Sequence, residues 1–401
     1  MNEIEQLLQS YDYDIRKTRN ARFMDQKVTP DVLSIIADCI LQFIASDNTK
    51  EFSSKDIWTS EYAMKNVVEI FNKPNLNDEK AKSEYDKFFA QPLKTLAYAG
   101  ILYERKDGNR NIYKLKNRKA LEFIAVKERN ALKFLCKYLF KVLSDSGIWS
   151  LFEDFFVEQN SDSFQNLKDG FSELLYEFTP ITRENTKEPS RIFTKILNPL
   201  AFERQKKGRR KGYLSPDMIG YDELMYNRKN WRDLEKSKSI TRKEYNKIQE
   251  YKNAEEARVK YTVDKAKRFV KLRHFPNSEV KDNFASGNAT QVHHIFPEFE
   301  YPKLKSYIEN LILLTPSQHL SQAHLDNNTR RINKNYQLIC LLAKMDSIEY
   351  SLNCNDGFYS VEDFLYVLNE GISPVNKFSE DLGISEIKAK LVKEYESKYT
   401  T

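Results

Sequence analysis

Gln291-Val-His-His-Ile-Phe-Pro-Glu298 is followed by Asn310-Leu-Ile-Leu-Leu-Thr-Pro-Ser-Gln-His319 and then by His324. The chain has five histidines, and four of them fall between positions 293 and 324. Histidine is the usual proton acceptor near neutral pH and the commonest metal ligand, so chemistry is expected there. Thr290–Ile295 reads as a short strand, residues 297–308 reverse the chain, and Asn310–Leu314 reads as a second strand of Leu and Ile. Thr315 then offers a helix N-cap, with Pro316 at the first helical position. A strand, a strand and a helix can bring His293, His294, Asn310 and His319 to one point.

The Asn lies 16 positions after His294, and His319 follows it by nine. With these spacings the segment resembles the HNH (ββα-metal) nuclease motif. There a ligand-and-base pair ends the first strand, an Asn opens the second, and a further ligand sits on the helix. Hydrolysing a phosphodiester needs a deprotonated water, positive charge on the phosphoryl oxygens and a stabilised leaving alkoxide. One divalent metal can supply the last two and an imidazole outside its shell the first. His294 is the expected base and Asn310 the amide that orients it, with His293 and His319 holding the metal. His324, five residues past His319 and about 140° round an α-helix from it, is a secondary candidate, as a ligand or as a phosphate contact. The resemblance implies Mg2+. Many relatives carry Asp where this chain has His293, and imidazole suits Zn2+, Ni2+ or Mn2+ better, so those are the alternatives. A structural zinc site would call for closely paired Cys or His ligands, and no Cys-x-x-Cys occurs.

Length and composition frame this centre. A chain of 401 residues with 40% hydrophobic and 13% aromatic residues can build two to four cored domains. No apolar run approaches membrane-spanning length, and the N-terminus lacks a secretory pattern, so no membrane association and a cytoplasmic setting are expected. Four scattered cysteines fit free thiols in a reducing interior. The net charge is +6, yet residues 191–250 hold 16 Lys/Arg against 8 Asp/Glu. A basic segment on a nearly neutral remainder points to a polyanionic partner.

The fold class expected is α+β and predominantly helical. Residues 1–29 read as an N-terminal arm of mostly solvated charge. Residues 30–118 carry helical patterns over Pro30–Ala45, Ser53–Trp58 and Asp78–Tyr98, then two strands around Lys106-Asp-Gly-Asn-Arg110. Three helices and a basic-tipped hairpin predict a winged helix-turn-helix head, with Arg105, Lys106 and Arg110 on phosphates. Residues 119–180 form a helical connector. Residues 181–274 hold a basic recognition segment and a long helix. Six of the eight residues from Arg204 to Lys211 are basic (Arg204, Lys206, Lys207, Arg209, Arg210 and Lys211), with Asn227, Arg228 and Trp231 close behind. Lys and Arg hold phosphates while Arg and Asn read base edges, so this loop is expected on DNA. The ββα-metal module occupies 275–345 and further helices 346–401.

This layout, with no Gly-x-x-x-x-Gly-Lys-Ser/Thr motor motif, looks like a type II restriction endonuclease of the HNH group. It implies a homodimer acting on double-stranded DNA and leaving 5′-phosphate and 3′-hydroxyl ends. A homing or modification-dependent HNH nuclease is the first alternative. The second is a non-enzymatic winged-helix regulator with a structural metal.

Overall fold

The computed structural model describes residues 3–73, 79–226, 228, 242–324, 332–372, 378–379 and 381–399. They form a mixed α+β chain, mostly helical with small sheets. The chain divides into two compact units, Met1–Arg258 and Val259–Thr401. Among the described residues no helix is long and apolar enough to cross a membrane.

The first unit opens with helices α1 (Glu3–Gln9), α2 (Ile15–Thr18) and α3 (Pro30–Ile44). Then come strand β1 (Glu51–Ser53), α4 (Ser54–Trp58), α5 (Glu61–Phe71), α6 (Glu79–Tyr98) and the strands β2 (Leu102–Asp107) and β3 (Arg110–Leu115). The three strands form one antiparallel sheet in the order β1-β3-β2. Asp107 pairs with Arg110, and Gly108 takes the positive φ of 56° that so tight a hairpin needs. Ser53 starts α4 through a reciprocal cap: its Oγ accepts from the Asp56 N–H at 3.3 Å, and its own N–H donates to Asp56 Oδ2 at 2.8 Å. Two elements here go beyond the expected three helices and hairpin. One is β1; the other is α5, which Ala63, Val67 and Ile70 bury at three- and four-residue steps.

Residues 3–29 are not a solvated arm. Tyr13, Ile15, Phe23 and Met24 are buried. The Tyr13 hydroxyl donates to Ala99 O at 3.0 Å, and Gly100, at φ 78°, leaves the space that the Tyr11 ring fills. Three of the basic residues there have acidic partners, Arg16 in Asp14, Lys17 in Asp12 and Arg22 in Asp25 and Glu188. Apolar aromatic burial outweighs the charge that made this stretch look exposed.

The connector is helical as expected, with α7 (Arg118–Val126), α8 (Glu128–Asp145), α9 (Trp149–Glu158) and α10 (Ser161–Phe178). Next follow α11 (Lys187–Glu203) and a hairpin of β4 (Lys207–Arg210) and β5 (Tyr213–Met218). The basic run is therefore strand and turn rather than a supple loop. The long helix α12 (Arg242–His274) contains the boundary between the units.

The second unit is built on two antiparallel strands, β6 (Gln291–His294) and β7 (Leu311–Leu314), with His293 opposite Ile312 and His294 opposite Leu311. All four residues of β7 are fully buried. Helices α13 (Lys334–Cys354), α14 (Val361–Gly371) and α15 (Ile384–Tyr399) complete it. A buried ion pair holds β7: Lys344 meets Glu279 at 2.5 Å, and Glu279 also accepts from the Leu313 N–H at 2.9 Å. Lys344 donates to the Tyr359 hydroxyl at 2.8 Å, which leaves that hydroxyl's proton for His274 Nε2 at 2.7 Å. Burial takes His274 down to about 4, so its ring is neutral and can accept that proton.

Candidate metal centre

Three imidazoles gather in the second unit. One ring nitrogen each from His293, His319 and His324 lies within 4.8 Å of the others. Their ring centroids are 4.8 to 5.3 Å apart, at steep interplanar angles. His293 and His324 are buried and His319 is half-buried. Burial holds His293 well below the usual histidine range, with His319, His324 and His294 adding repulsion against a positive charge. His319 is lowered by burial and then by His324. Neutral, desolvated imidazoles with converging nitrogens are the form in which histidine binds a metal. The donor set therefore fits a cation, and no carboxylate joins the three among the described residues.

His324 is a full member of this trio, which corrects its secondary standing. Its offset from His319 would carry it away on an α-helix. Instead Gln318–Ala323 winds as a π-helix, whose wider turn stacks residues five apart. His324 itself has left the helix, extended at φ −117° and ψ 134° and bridged to Ile332. The turn is pinned by Gln318, which is fully buried. Gln318 and Thr315 cap each other reciprocally, with the Thr315 N–H on Gln318 Oε1 at 3.0 Å and the Gln318 N–H on Thr315 Oγ1 at 3.2 Å. The Gln318 amide also donates to Val280 O and Asp282 Oδ1, each at 2.9 Å, and Tyr336 donates to the other Asp282 oxygen at 2.7 Å. The sequence reading passed over Gln318, although Thr315-x-x-Gln318 has the capping-box spacing that would have found it.

His294 takes a different direction from its neighbour, as alternation along a strand requires. Its Nε2 lies 2.9 Å from the Lys305 carbonyl. A carbonyl only accepts, so Nε2 carries the proton and Nδ1 is left bare and basic. Burial lowers the basicity of His294, the Lys305 contact opposes that, and Lys267 adds to the lowering.

Asn310 does not orient His294 directly, contrary to expectation. It is fully buried, and its amide is spent on the intervening loop. Oδ1 accepts from the Phe296 N–H at 2.9 Å, and Nδ2 donates to Phe296 O at 3.0 Å and Leu304 O at 3.2 Å. It thereby closes the loop whose next residue, Lys305, supplies the carbonyl for His294. Asn310 is a positioning residue at one remove.

The expected DNA contacts divide. On the β2–β3 hairpin Arg105 pairs with Glu51 at 2.6 Å, while Lys106 and Arg110 are exposed. In the basic run the arginines have partners within the protein, and Arg209 alone is buried. Arg204 covers Trp149 and Phe156. Arg209 is only 8% exposed and bonds Ser190 O, Ser190 Oγ and Thr194 Oγ1. Arg210 is clamped by both oxygens of Glu223, at 2.6 and 2.7 Å. Arg228 pairs with Glu128 at 2.8 Å and lies beside Asp31 and Asp222. This corrects the picture of a free basic loop and leaves Lys206, Lys207 and Lys211. Asn227 and Trp231 lie outside the described residues. Arg209→Ala is expected to destabilise the fold by about 1–3 kcal/mol, because buried partners of a charged donor lose their bonds. A urea melt tests this, and an unchanged midpoint would contradict the buried role.

No protein-family model matches the chain, and neither does any curated protein or solved structure.

Proposed function

We propose that the second unit is a metal-dependent endonuclease of the HNH (ββα-metal) kind, acting on double-stranded DNA. One observation carries this reading. An imidazole with a bare Nδ1, fixed through its other nitrogen by the Lys305 carbonyl, is next in the chain to a ligand of a three-histidine metal centre. Nδ1 of His294 takes a proton from water, and the water oxygen bonds to phosphorus. The P–O3′ bond then breaks, leaving a 5′-phosphate, and the 3′-oxygen is protonated from solvent. A divalent cation on the three imidazoles supplies the positive charge that the phosphoryl oxygens and the leaving oxygen need.

Three imidazole nitrogens suit Zn2+, Ni2+ or Mn2+ better than Mg2+, which favours oxygen ligands, so the transition metals lead. The three-stranded sheet and helices of residues 30–118 support a winged-helix role on the duplex. With the absence of a motor motif, they favour site-specific restriction by a homodimer. Supercoiled plasmid incubated with the protein and Mn2+, Ni2+, Zn2+ or Mg2+ is expected to be cleaved in an EDTA-sensitive way, with the transition metals active at lower concentration. The ends should carry 5′-phosphates. A protein that binds one metal ion tightly and cleaves with none of the four would sink the enzyme and leave the DNA-binding regulator.

A further inference from the structure

With Arg209 buried and Arg210 paired to Glu223, the β4–β5 hairpin has an unusual distribution of contacts. Its root is held by hydrogen bonds to Asn198, Gln159 and Ser215. Asn198 acts as a surrogate strand, with Oδ1 accepting the Arg209 N–H at 2.8 Å and Nδ2 donating to Arg209 O at 3.0 Å. The Lys207 N–H donates to Gln159 Oε1 at 2.7 Å, and the Gly208 N–H donates to Ser215 Oγ at 2.9 Å. Gly208 is packed so closely that a Cβ would lie 2.7 Å from both Asn198 and Ile219.

The tip is the opposite. Arg210 pairs with Tyr213 across the ribbon, and the two turn residues, Lys211 at φ 50° and Gly212 at φ 97°, both have left-handed backbone. Such a two-residue turn favours Asn-Gly or Gly-Gly, and a lysine at its first position is strained. Lys211 is exposed, and Tyr213 keeps 78% of its surface in water. Strain and an exposed aromatic, on a base built for rigidity, mark a contact element.

We infer that this hairpin is a finger that enters the major groove of duplex DNA, with Lys211 on the phosphate backbone and Tyr213 on the base edges. The major groove admits a two-stranded ribbon, lysine supplies sequence-independent phosphate attraction, and an aromatic side chain makes the apolar contacts of base readout. Lys206 and Lys207 at the root add positive charge on the same ribbon. The inference rests on the duplex-DNA reading above but concerns the first unit alone.

The test is binding of a fluorescent 40-base-pair duplex of mixed sequence in EDTA, by anisotropy over a salt series. Tyr213→Ala should weaken binding about tenfold, the scale of one lost base contact. Lys211→Gly should weaken it severalfold and lower the salt slope by about one, the signature of one lost phosphate contact. Lys211→Gly also relaxes the turn, so its melting temperature should hold or rise while binding falls. Both variants binding within twofold of wild type with an unchanged slope would overturn the finger, as would a wild type that ignores the duplex. Plasmid cleavage separates the two proposals. Cleavage with indifferent variants removes only the finger, and weakened variants of a protein that never cleaves remove only the nuclease.

Discussion

His294→Ala is expected to lower plasmid cleavage about 10²–10⁴-fold, the range over which a positioned acid–base group acts. Metal binding should survive, because the ligand nitrogens belong to His293, His319 and His324. The fold should survive too, since among the described residues the one side-chain hydrogen bond lost is that to the Lys305 carbonyl, which the loop can return to water. Single-turnover cleavage with protein in excess isolates the chemical step from product release. Asn310→Ala makes the informative comparison. If the asparagine served the base directly, it would slow chemistry and leave stability alone. Spanning Phe296 and Leu304 as it does, it should lower the melting temperature together with the rate. Cleavage by His294→Ala within a few-fold of wild type would remove that imidazole as the base.

His293 and His319 were legible together from their spacing once two strands pair, whereas His294 turns to Lys305 and Asn310 to the intervening loop. His293 and His294 face Ile312 and Leu311, so a helix starting after Leu314 must bring His319 back over the first strand. The three misreadings have physical causes. His324 was judged on α-helical geometry, and the sequence offers no local mark of a π-turn, which Gln318 fastens through its bonds to Val280 and Asp282. The arginines of 204–211 are expected on DNA because base-reading residue types accompany the charge. Their partners come from elsewhere in the chain, such as Ser190 and Thr194 for Arg209 and Glu223 for Arg210. Tyr13, within the stretch read as mostly solvated charge, bonds to Ala99 and Asp145, 86 and 132 positions away. Buried pairing between distant positions is what periodicity cannot report.

His324→Ala should lose as much metal affinity as His293→Ala or His319→Ala. Each contributes one of three converging nitrogens, with no carboxylate among the described residues to take its place. Loss of groups that merely orient a ligand weakens metal binding about 10–100-fold, so loss of a ligand itself should exceed about 100-fold. Titration of Zn2+ or Ni2+ into each purified variant, with competition by a chelator of known affinity, reads this directly and needs no DNA. An α-helical turn would predict the other outcome, since His324 would then point away and its removal would leave affinity near wild type. Gln318→Leu tests the cause. It keeps all three histidines but removes the bonds from Thr315, Val280 and Asp282 that fasten the π-turn. If those bonds set the approach of His324 to His319, metal affinity should fall in this variant with no ligand removed, and Gln318→Glu, which keeps an acceptor for the Thr315 N–H but loses both donated bonds, should fall between it and wild type.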